Sequence, residues 1–119
     1  MLERRILHLT KAFLKDLSHD WTVAEMAAMF DLTTPHVTKL CRSETGFPPQ
    51  TYLRNLRLQR FHEILLEGYS PINVIGARVG LLDETHLTRD YKTKFGVTPT
   101  QARVNQAEME QSKPPVGEK

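Results

Sequence analysis

The sequence predicts an all-α chain of seven helices: two similar helix pairs, a long helix between them, and a flanking helix at each end. Three observations predict this. Apolar residues recur at helical spacing nearly throughout, and strand-like alternation is almost absent. Helix start and stop signals punctuate that pattern, with Thr, Asp or Pro before each apolar run after the first and glycine after several of them. One segment also occurs twice. His36-Val37-Thr38-Lys39 returns fifty positions later as His86-Leu87-Thr88-Arg89, with Gly46 matched by Gly96 and Pro49 by Pro99. Upstream, Val23, Met26, Phe30 and Leu32 are matched by Ile72, Ile75, Val79 and Leu81 at an offset of forty-nine, which puts one extra loop residue near Leu82.

The first helix is expected from Leu2 to Leu17, with Ile6, Leu9, Phe13 and Leu17 on one face. A second opens at Thr22, where Thr22-x-x-Glu25 has the form of a capping box, and ends near Phe30. A third follows a tight Asp31-Leu32-Thr33 turn, with Thr34 as cap, Pro35 at the first helical position and Gly46 as the stop. The fourth and longest runs from Pro49 to Glu67 and ends at Gly68. Ser70-Pro71 opens the fifth, and Asp83 caps a sixth that stops at Gly96. Thr98-Pro99-Thr100-Gln101 starts a last short helix, and the polar residues 104–119 are expected to form a flexible tail.

A chain of 119 residues can bury a helical core but has no room for a sizeable catalytic domain. The net charge is only +2, yet its distribution is uneven: from 39 to 60, Lys39, Arg42, Arg54, Arg57 and Arg60 face a single acid, Glu44. The single cysteine, Cys41, fits a reducing compartment and a small packing role on an apolar face. No long apolar run suggests a leader or a membrane span, so a soluble, unsecreted chain is expected. His8, His19, His36, His62 and His86 show no ligand spacing, and no phosphate loop or nucleophile pattern occurs. Metal, cofactor and enzyme activity are therefore not expected.

Each pair reads as a helix-turn-helix, over 22–46 and 71–96, so the fold expected is two helix-turn-helix subdomains joined by a long linker helix over 49–67. The second helix of each pair divides into two faces. Val37, Leu40 and Cys41 point inward in the first copy, and Leu87, Tyr91 and Phe95 in the second. Pro35, Thr38, Lys39 and Arg42 fall together on the outer face, and Thr85, Thr88, Arg89 and Lys92 repeat that spacing. Ala27 and Gly76, small and at matched positions, would let the paired helices cross closely. Hydroxyl and cationic groups on a helix suit a DNA major groove, where Arg or Lys donates to guanine and Thr offers both a hydroxyl and a methyl. A linker of roughly eighteen residues spans about 27 Å. That length could hold the two outer faces about 34 Å apart, one turn of the duplex. Arg54 and Arg57 on the linker are candidates for phosphate contacts or for ion pairs with Glu63 or Glu67. His36 and His86 are candidates for groove-edge or phosphate contacts. The rival reading is a helical adaptor that has this fold but no specific DNA affinity.

Beyond these patterns, the sequence resembles the DNA-binding domain of the AraC/XylS family of bacterial transcription regulators. The resemblance is carried by Ala77-Arg78-Val79-Gly80-Leu81, His86-Leu87-Thr88-Arg89-Asp90-Tyr91-Lys92 and Phe95-Gly96-Val97-Thr98-Pro99 with Arg103. Thr22 to Ala27, Glu44-Thr45-Gly46, Tyr52-Leu53 and Arg57-Leu58 carry it through the first half, so that the domain covers residues 1–103. It implies a bacterial, cytoplasmic, nucleoid-associated activator that binds double-stranded promoter DNA and recruits RNA polymerase. It also implies base contacts from Pro35, Thr38, Lys39, Thr85, His86 and Arg89, with Thr88 beside them in the groove and Arg42 and Lys92 on phosphate. The sequence departs from the family at Cys41, Phe61, Leu81 and Ala102, all core positions. Such regulators usually carry a separate effector-binding or dimerisation domain, which these residues do not contain.

Overall fold

The computed structural model describes residues 2–112. Seven helices follow in order: α1 (Arg4–Lys15), α2 (Val23–Ala28), α3 (Thr34–Thr45), α4 (Pro49–Glu67), α5 (Ile72–Val79), α6 (Glu84–Phe95) and α7 (Pro99–Ser112). No strand occurs among the described residues.

The helix ends follow the side chains available to satisfy unpaired backbone groups. Thr22 accepts from the Glu25 N–H at 3.0 Å, Asp83 from His86 N–H at 3.1 Å and Thr98 from Gln101 N–H at 3.2 Å. Only half of the expected capping box forms at α2, because the Glu25 carboxylate turns to His19 Nε2 at 2.9 Å. The cap of α3 is Thr33, which accepts from His36 N–H at 3.3 Å, rather than the expected Thr34. Two adjacent threonines offer the same chemistry, and only the chain direction into the helix separates them. Gly46 and Gly96 close α3 and α6 in the left-handed conformation at φ 86° and 89°.

The repeat extends to the turns. Leu32 N–H donates to Ala27 O at 3.0 Å in the first copy, and Leu81 N–H to Gly76 O at 2.7 Å in the second. Asp31 and Gly80, forty-nine apart, both take positive φ, at 56° and 85°. Asp is among the few residues other than glycine that enter this region readily.

The expected flexible tail from 104 is corrected over its first part: α7 continues to Ser112. Strong helix formers fill this stretch, and Gln101 to Asn105 (2.8 Å) and Gln106 to Glu110 (3.1 Å) bond at i, i+4 along it. The rest of that expectation, 113–119, lies outside the described residues.

One apolar core runs through both halves. Leu9, Phe13, Met26, Ala27, Val37 and Leu53 continue through Phe61 and Leu65 to Ile75, Val79, Leu87 and Tyr91. The positions that depart from the family are part of this interior: Cys41 and Phe61 are fully buried, and Leu81 and Ala102 nearly so. Burial pushes the Cys41 thiol up, consistent with packing rather than reactivity. Phe61 meets the Tyr91 ring edge-on at 5.7 Å, so its volume fills the contact between α4 and α6. His62 completes that contact, with Nδ1 2.7 Å from the Tyr91 hydroxyl and its ring stacked on Phe95 at 4.2 Å. Burial lowers the pKa of His62 and raises that of Tyr91, so this pair is neutral near pH 7. From α7, Arg103 Nε donates to Leu65 O at 3.1 Å, placing a cation at the C-terminal end of α4.

Candidate nucleic-acid interface

The two recognition faces are built alike from the core outward. Val37 and Cys41 anchor α3, and Leu87 and Tyr91 anchor α6, each pair one helical turn apart and buried. Such anchors fix which residues turn away. Pro35, His36, Lys39 and Arg42 are exposed with Thr38 half-buried, and Thr85, His86, Arg89 and Lys92 are exposed with Thr88 half-buried. Leu40, expected among the inward residues, is only half-buried, as is its counterpart Asp90. At the first face Val23, from the start of α2, joins Pro35, Thr38, Lys39 and Arg42 around an open concavity. In sequence Val23 stands out only as the repeat partner of Ile72.

Among the described residues, Lys39, Arg42 and Lys92 make no salt bridge. Arg89 bonds through Nε to Asp90 Oδ1 at 3.4 Å, and its side chain is 67% exposed. That contact is through Nε, and the two terminal nitrogens make no salt bridge among the described residues; a guanidinium of this kind suits a guanine edge. His86 is held differently: its Nδ1 lies 3.1 Å from Asp83 Oδ2. The His86 N–H bonded to Asp83 keeps that carboxyl below its usual range. This local clip, Asp83 to His86, fixes the first turn of α6 and orients the imidazole beside Thr85.

The linker arginines are a correction. Ion pairs with Glu63 or Glu67, one of the two readings for Arg54 and Arg57, do not form. Arg54 Nε donates to Asp90 Oδ2 at 2.6 Å and so ties α4 to α6. Partial burial of Asp90 opposes its ionisation, but the Arg54 bond and charge outweigh it and keep the carboxyl below its usual range. Arg57 donates from Nε to Leu17 O and from Nη2 to His19 O, both at 2.8 Å. Burial, with Arg54 nearby, lowers the Arg57 pKa against the pull of Asp20. Gly80 packs on this knot, and a Cβ there would lie 2.9 Å from both Arg57 Nε and Leu17 O. Arg57 thus binds the loop before α2 to the linker and to the end of α5. The Glu63 carboxylate pairs with Arg60 instead, at 3.1 Å.

Two helix-turn-helix units on one linker, each presenting hydroxyl and cationic side chains from its second helix, have the architecture of a DNA-binding domain. Comparison with known proteins agrees: residues 26–105 match the family described as "Helix-turn-helix domain". The chain belongs to the AraC/XylS-type helix-turn-helix family of DNA-binding transcription regulators. It is 33% identical over 88 residues to the HTH-type transcriptional activator CsvR of Escherichia coli, covering 73% of this chain and 32% of that protein. To the HTH-type transcriptional regulator MtrA of Neisseria gonorrhoeae it is 23% identical over 101 residues, covering 85% and 34%. The chain spans about a third of the length of the curated relatives it matches. In fold it is similar to the DNA-binding domain of AdpA solved with a target DNA, with TM-score 0.84, 17% identity, and coverage of 93% of this chain and 100% of that one. An AraC-type regulator from Chromobacterium violaceum gives TM-score 0.80 at 20% identity, covering 87% and 93%. No helix among the described residues is long and apolar enough to cross a membrane.

Proposed function

We propose that this domain activates transcription by reading double-stranded promoter DNA with α3 and α6 in successive major grooves on one face of the duplex. The observation that carries the reading is the doubled face: the same outward positions behind the same buried anchors, on one continuous linker helix. The domain extends 57 Å along its longest axis, more than the roughly 34 Å between grooves one turn apart. Pro35, Thr38 and Lys39 read one half-site, and Thr85, His86, Thr88 and Arg89 the other. Arg42 and Lys92, with His36 at the groove edge, meet phosphate. Arg54 and Arg57 hold the two heads in register from within. RNA polymerase is the partner at the promoter, in the bacterial cytoplasm and at the nucleoid. The name of CsvR, a transcriptional activator, supports the direction of regulation.

Salt dependence tests the reading. Two phosphate contacts from cationic side chains, Arg42 and Lys92, predict an affinity loss of about 12-fold between roughly 50 and 200 mM salt. A helical adaptor without DNA affinity would bind a selected duplex at neither concentration.

A further inference from the structure

The one-residue difference between the two copies falls at the tip of the second recognition helix. In the first copy the residue before the α3 cap is Leu32, partly buried and packed on the core. An apolar residue at this place ordinarily packs against the fourth residue of the helix it precedes, which here is Val37. In the second copy the extra residue changes this. Leu81 takes the buried place at 4% exposure, and Leu82, directly before the cap Asp83, is pushed out to 81%. Its ordinary partner, Leu87, is already enclosed at 1% exposure beneath the α5–α6 crossing. Among the described residues, Leu82 therefore contributes little to the packing of the domain.

Its neighbours narrow what it can meet. Asp83 and Glu84 follow it in the chain, so this corner repels phosphate rather than attracting it. Thr85 and His86 follow in the first turn of α6, the part of a recognition helix that reaches base edges. The apolar feature of a major-groove edge is the 5-methyl group of thymine.

We propose that Leu82 is a specificity-determining residue that packs on a thymine methyl at the edge of the second half-site. This rests on α6 lying in a major groove. Burying one methyl against it should contribute about fourfold in affinity.

The test takes a duplex selected from a random pool by the purified chain and replaces each thymine of the second half-site by uracil, one at a time. Wild type and Leu82→Ala are titrated against the whole series, after thermal unfolding has confirmed that the exposed substitution leaves the fold intact. The expected result is one position where thymine to uracil weakens wild type about fourfold and leaves Leu82→Ala unchanged. Parallel losses in both proteins at every position would overturn the proposal. So would a Leu82→Ala variant that matches wild type on every duplex, as for a residue facing a protein partner. A wild-type chain that selects no sequence and shows no salt-dependent binding would instead defeat the groove reading itself.

Discussion

Replacing Gly76 by alanine tests whether the close crossing of α5 and α6 is needed. A methyl at this position would lie 2.6 Å from Leu81 O and 3.2 Å from Leu87 Cδ2. The first of these is backbone and cannot swing aside. It belongs to the turn residue whose N–H closes on Gly76 O at 2.7 Å, so moving it strains that bond as well. Overpacking of this kind costs about 1–3 kcal/mol. Weakening the turn bond adds about 1 kcal/mol, while the better helix propensity of alanine returns about 1 kcal/mol. The net expectation is a loss of about 1–3 kcal/mol, which lowers Tm by at least about 4 °C for a domain of this size. Thermal unfolding followed by far-UV circular dichroism reads this directly. Ala27→Gly, at the matched position of the first copy, is the control. It should also destabilise, by about 1 kcal/mol, because there a Cβ is already accommodated. A Gly76→Ala protein as stable as wild type, or more so, would refute the crossing argument.

Two further predictions follow from the interface. Arg89→Ala should relax base preference at one position by about 1–3 kcal/mol, whereas Arg42→Ala should weaken all duplexes alike and reduce the salt slope by about one. Titrations on selected and scrambled duplexes distinguish these, and equal losses on both for Arg89→Ala would remove its reading role. Asp90→Asn should lower stability at neutral pH by about 0.5–1 kcal/mol, as for a partly exposed ion pair, here the one between α4 and α6. Because the folded pKa of Asp90 is depressed, this contribution is present above the unfolded value, about 3.9, and is lost as pH falls through the lower folded value. Urea unfolding of both proteins should show the gap at pH 5 and its loss toward pH 2; a gap that stays constant would contradict the assignment.

What could be read from the sequence was what depends on local chemistry. Helix existence and order, the caps Thr22, Asp83 and Thr98, and the glycine stops at Gly46 and Gly96 all involve partners within four residues. The inward anchors of α3 and α6 follow from the helical period alone. Errors arose where the partner is distant or the choice is degenerate. Arg54 meets Asp90 thirty-six residues away, and Arg57 meets carbonyls thirty-eight and forty away, so the nearby Glu63 and Glu67 looked like their partners in sequence. Thr33 and Thr34 are the same residue type side by side. Beyond 104, polarity suggested a tail, but helix propensity and side-chain pairs along α7 prevailed. The extra residue near Leu82 was visible as an offset, yet its outward position depended on Leu81 filling the core first.

The central claim, that α3 and α6 read two half-sites in rotational phase, is tested most directly by changing the spacing between those half-sites. On a selected duplex with half-sites about ten base pairs apart, inserting five base pairs turns the second groove to the opposite face. The rigid linker then leaves one head without its site. The account predicts a loss of at least about tenfold, on the scale of one or more mismatched base pairs. Equal affinity for the two spacings would contradict it.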